Sequence, residues 1–190
     1  MVIMMNKTEA KKKIIAYLKE RNIQYFEHVQ AGGSCIVVLL TGYSQCPDSA
    51  LEVSFDFFDN GMECRVYYTE SGSGWVKERA DDLSDLYRLM NFINARVWPA
   101  TPDGYGVFHH LYTPRVYITE DGNYDITAAT AIDYDHYELA ALETEDYCTA
   151  AIPELMAKLS TPIFFVLLKE MTVRDAIAYI KEVILQETID

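Results

Sequence analysis

The chain has 190 residues, 50% hydrophobic and 24% charged, with a net charge of −13 at pH 7. That balance excludes a disordered chain, and at this length one domain over 1–190 can bury roughly 70% of the surface its unfolded form exposes. The excess of acid disfavours direct binding to nucleic acid or to an anionic membrane, and does not disfavour a basic or polar protein partner.

The opening "MVIMMNKTEAKKK" places its lysines after a very short apolar stretch, the reverse of a secretory signal, and residues 1–6 read as a loosely ordered N-terminus. Ala10, Ile14, Tyr17, Leu18 and Arg21 then recur at helical spacing and predict a helix over 8–21, with Thr8 as its N-cap and Glu9 beside the positive end of the dipole. "CIVVLLT" at 35–41 is short, β-branched and apolar and reads as a buried strand. In "LEVSFDFFDNGMECRVYY", Leu51, Val53, Phe55 and Phe57 alternate with polar residues, and Asn60-Gly61 supplies the residues of a type I′ turn. A two-residue loop there pairs Phe57 with Cys64, Phe55 with Val66, Val53 with Tyr68 and Asp56 with Arg65.

"SGSG" at 71–74 lacks the lysine and helix start of a phosphate loop and reads as a flexible connection. Leu83, Leu86, Met90, Ile93 and Val97 predict a helix over 81–97, stopped before Pro99, with "WPATPDGYG" as a loop. Strands are expected around 107–112, 115–119 and 123–131. A three-residue turn with Gly122 left-handed sets Ile118 opposite Tyr124 and Val116 opposite Ile126. The rest is helical: Ile152, Leu155, Met156 and Leu159 share a face, Thr161-Pro162 starts a short buried helix, and Thr172 caps "VRDAIAYIKEVI". The fold class is therefore α+β, an antiparallel sheet packed against amphipathic helices in the rough order α-β-β-β-β-α-β-β-β-α-α.

No GxGxxG, Walker A, GxSxG or SxxK motif occurs, and no catalytic residue or cofactor is assigned. "AIDYDHYELAALETED" at 131–146 holds six acids and one histidine. From Asp133 the sixth position is Glu138, not the glycine of a calcium loop, and the twelfth is Thr144, not Glu. His136 has no second histidine at helical spacing, so no metal is assigned. Asp135 and Glu138 instead frame a helix start as a capping box. His109 and His110 point to opposite faces of a strand. Cys35, Cys46, Cys64 and Cys148 make no CxxC pair and read as reduced, buried thiols of a cytoplasmic protein. "IFFVLL" at 163–168 is far short of the roughly 20 residues that cross a bilayer as a helix. It is deep core or a dimer interface, with core favoured. Ile163, Phe164, Phe165, Leu167, Tyr117 and Tyr124 are the candidate partner-binding residues, as apolar or amphipathic contact groups.

The leading helix, the hairpin-bearing strand group, the middle helix ending in "LMNFINAR", a second strand group and the helices around "MTVRDAIAYI" resemble in layout the YbjN-like proteins, bacterial sensory transduction regulators with the fold of type III secretion chaperones. The resemblance implies a small acidic cytoplasmic protein, often dimeric, that binds another polypeptide. The first functional expectation is thus a non-enzymatic protein-binding or chaperone-like regulatory module, with a protein partner or a second copy as ligand and neither nucleic acid nor membrane. The alternative is a metal- or thiol-dependent enzyme using His109 or His110 with acids of 133–146, and a minor alternative is an acidic mimic of nucleic acid.

Overall fold

A computed structural model describes residues 5–30, 33–99 and 113–187. Helix α1 spans Lys7–Glu20 and buries Ala10, Ile14, Tyr17 and Leu18, the stripe read from the sequence. Its N-cap is Asn6, not Thr8. The Asn6 side chain accepts from the backbone of Thr8 and Glu9, and Glu9 reaches back to Asn6 N at 3.1 Å, a full capping box. Met5, just before the cap, is buried, so this part of the N-terminus is packed.

Six antiparallel strands follow in one sheet: β1 (Tyr25–Gln30), β2 (Gly33–Thr41), β3 (Ala50–Phe57), β4 (Gly61–Tyr68), β5 (Arg115–Ile118) and β6 (Ile126–Asp133). Their order across the sheet is β1-β2-β3-β4-β6-β5, so β1 and β5 are the edges. The fold is α+β, as the alternation of elements predicts. The expected strand over 107–112 lies outside the described residues.

Both predicted hairpin registers are off by two residues, which keeps every side chain on its predicted face because the strand period is two. In β3–β4, Leu51 faces Tyr68, Val53 faces Val66 and Phe55 faces Cys64. The loop residues are Asp59 and Asn60, closed by Phe58 N donating to Gly61 O at 2.8 Å. Neither takes the left-handed conformation of a type I′ turn. Gly61 belongs to the strand because β6 crowds it: a Cβ there would stand 2.6 Å from Ile132 O. The shift sets Asp56 opposite Glu63, and Arg65 instead reaches along its own strand to Glu63 at 2.7 Å. In β5–β6, Ile118 faces Ile126 across a longer loop, closed by Thr119 N donating to Asp125 O at 2.9 Å. Gly122 is left-handed there, as expected, and so is Tyr124.

"SGSG" is not a loop. Helix α2 runs Glu70–Lys77 through it, with Asp48 accepting from Thr69 Oγ1 at 2.6 Å and Ser71 Oγ at 2.9 Å at its first turn. Helix α3 is Ser84–Arg96, buried through Leu86, Leu89, Met90 and Ile93. The Asn94 amide donates to Val116 O at 2.9 Å and accepts from Val116 N at 2.7 Å, which ties α3 to the edge strand β5. After β6 come α4 (Tyr134–Leu139), α5 (Ala141–Asp146), a π-helical turn at Tyr147–Ala151, α6 (Ile152–Leu167) and α7 (Val173–Tyr179). Thr172 caps α7, its hydroxyl accepting from Asp175 N at 3.2 Å. Pro162 does not start a helix but lies within α6, whose register carries straight through it. The run Ala141–Leu167 is long and apolar enough to cross a membrane by length and composition, yet 72% of that window is buried inside the protein.

One continuous apolar cluster joins the helices to the inward sheet residues Ile36, Val38, Leu51, Val53, Phe55, Met62, Val66 and Ile132. Its centre is tied by Tyr68, whose hydroxyl donates to Met156 O at 2.7 Å while its ring meets Phe164 edge-on at 4.8 Å. "CIVVLLT" therefore sends Ile36 and Val38 into the cluster, while on the other side Cys35 is buried outside the cluster and Leu39 is 49% exposed.

Candidate functional site

Of the sequence-predicted contact residues, Ile163, Phe164 and Leu167 are buried in the core, and only Phe165 breaks the surface of α6 at 40% exposure. Tyr117 is half-buried on β5, and Tyr124 is half-buried in the loop before β6. The apolar run that the sequence singled out is thus mainly core. Beside Tyr117 a groove of about 580 Å³ opens between α3 and β5, lined by Tyr87, Asn91, Asn94, Tyr117, Ile118 and Glu120.

The acidic tract is used structurally. Asp133, not Asp135, caps α4: it accepts from His136 N at 2.9 Å, and the His136 ring lies 3.1 Å from its second oxygen. Those bonds, the backbone one foremost, hold the Asp133 carboxyl below the usual range. Glu145 turns inward, 6% exposed, and accepts from Tyr137 OH at 2.5 Å. Burial raises its carboxyl above the ordinary value despite that bond. Asp146 accepts from Tyr17 OH at 2.8 Å and pairs with Arg21 at 3.2 Å, joining α1 to α5. Among the described residues, no group of three or more His, Cys, Asp or Glu is placed to hold a metal ion. His109 and His110 lie outside the described residues.

All four thiols are buried and unbridged. Cys64 and Cys148 meet in the core, hydrogen-bonded to each other, and burial pushes the Cys64 thiol well up. Burial likewise raises Cys35, and Cys46 to about 11, the opposite of what activates a nucleophile.

The outward face of the sheet contributes nothing to the core cluster; Cys35, Ser54, Thr127 and Ala129 on it are buried, and its most exposed apolar side chains lie on β1 and β2. Register builds it in rows. Phe26, Val37, Ser54 and Arg65 lie side by side, flanked by the row Leu39, Glu52, Tyr67 and Thr127 and by the row His28, Cys35, Asp56 and Glu63. Phe26 is 68% exposed, on an edge strand, and with Val37 and Leu39 it makes a contiguous apolar patch over β1 and β2. Glu52 and Asp56 border that patch on β3. Burial raises both carboxyls; the neighbouring Asp125 charge adds to the effect at Glu52, while the Arg65 charge opposes it at Asp56. Glu63 is answered by Arg65, and Glu52 accepts from Tyr67. Neither Glu52 nor Asp56 has a Lys or Arg within ion-pair distance among the described residues.

Sequence reasoning placed Glu52 and Asp56 outward but missed Phe26 and Leu39. The available signal was parity: Val37 and Leu39 share a face opposite to Ile36 and Val38, and the partners of that face on β3 are Glu52 and Ser54. No family model, no curated protein and no solved structure matches the chain.

Proposed function

We propose that the chain is a non-enzymatic protein-binding module, chaperone-like or regulatory, acting in the cytoplasm through the outward face of β1–β3. The observation that carries this reading is the patch of Phe26, Val37 and Leu39 on a sheet edge. An exposed apolar edge is an association hazard unless a partner covers it, and such patches mark interaction sites. The resemblance of the order of elements to YbjN-like proteins supports the same class of function. The polypeptide that binds is distinct from anything held by Ile163, Phe164 and Leu167, which are occupied in the core. A photoreactive phenylalanine analogue at position 26 in living cells tests it, with the exposed position 142 as control. A discrete adduct at 26 that is absent at 142 is the expected result. No adduct at 26, or the same ladder of products at both positions, overturns the reading.

A further inference from the structure

Resting on that reading, we infer that the occupant of the outward face is a cationic amphipathic helix of another protein, its apolar side on Phe26, Val37 and Leu39 and its Lys or Arg side chains on Glu52 and Asp56. Three features of this face support it. The apolar patch is bordered on β3 by two carboxylates that lie on the same face, and among the described residues no Lys or Arg stands within ion-pair distance of either. Four residues of strand set them about 13 Å apart, close to the about 11 Å rise of two helical turns, so cations seven residues apart on a helix reach both. Both are partly buried, where an arriving cation is less screened than at an open surface.

A second copy of this chain fits less well. Each copy carries −13, and a two-fold pairing of this face sets the Glu52 and Asp56 of both copies into one interface. A membrane of anionic lipid meets the same repulsion.

The test uses the whole chain and three fluorescein-labelled peptides of about 18 residues: a Leu/Lys helix with segregated faces, its Leu/Glu counterpart and a scrambled Leu/Lys sequence. Anisotropy titration at about 0.15 M salt is expected to give binding of the first at least about tenfold tighter than of the other two. F26S with L39S removes the apolar contact and is expected to weaken binding at least about tenfold; E52Q with D56N is expected to weaken it several-fold and to flatten its salt dependence. Phe26 and Leu39 are outside the core, so the first double variant keeps its melting transition and reports on docking. Equal affinity for the scrambled peptide, or unchanged affinity in both double variants, means attraction to net charge alone and overturns the inference. If no peptide binds but sedimentation shows a dimer that F26S with L39S dissociates, the helix proposal fails while the docking face stands. If neither is seen and position 26 gives no adduct, both fail.

Discussion

At Gly72 two effects of opposite sign meet. Replacing a helical glycine by alanine ordinarily gains up to about 1 kcal/mol. Here the added Cβ would stand 2.8 Å from Tyr68 Cβ and 3.1 Å from the Phe164 ring. Tyr68 cannot retreat without losing its bond to Met156 O, so the clash decides the sign. G72A is expected to lower the unfolding free energy by about 1–3 kcal/mol in denaturant titration, and a gain would refute the packing described. Asn6 gives a second test. N6A is expected to cost about 1 kcal/mol, whereas T8A changes little, since only Asn6 holds the orphan amides of α1. Glu145 adds a pH dependence. Its carboxyl is raised in the folded state, so the folded chain binds that proton more tightly than the unfolded one, and stability falls as pH rises from the ordinary carboxylate value through the raised one. E145Q keeps an acceptor for Tyr137 and removes the buried charge. Its denaturation midpoint is expected to exceed the wild type's at pH 7 and to converge with it below about pH 4. A gap of equal size at both pH values would contradict the assignment.

At the scale of elements, what periodicity encodes was legible and what tertiary closeness decides was not. The stripes of α1 and α3 and the facing of β3 and β4 follow from which side chains must leave water. The registers do not, because a shift of two residues keeps the same faces buried. The choice between them falls to the approach of β6 to Gly61, a contact with a strand about seventy residues away. G61A is accordingly expected to loosen the β4–β6 pairing and cost about 1–3 kcal/mol, seen as faster amide exchange in both strands. The helix through Ser71-Gly72-Ser73-Gly74 was illegible for a related reason: its local propensity is poor, and what holds it is Asp48 at its first turn and the buried contact of Gly72 with Phe164. The caps at Asn6 and Asp133 were each missed by two residues, because several acceptors stand near each helix start and the sequence does not rank them.

For the molecule as a whole, the helices and the inward sheet face make one core, and the outward face carries Phe26 and Leu39 to solvent beside the carboxylates of Glu52 and Asp56. Composition did not disfavour a basic or polar protein partner, and such a partner is the one proposed for this face. The sequence offered the most apolar run, 163–168, as core or interface with core favoured, and it is mainly core, because a run that is apolar all round is what a central core helix needs, whereas a docking face on a sheet shows only every second residue. Hydrogen exchange with mass spectrometry, with and without saturating Leu/Lys helix, tests the central claim most directly. Slowed exchange confined to 25–30, 35–41 and 50–57, with 134–146 unchanged, is the predicted result; protection centred on 134–146, or spread evenly over the acidic surface, would contradict it.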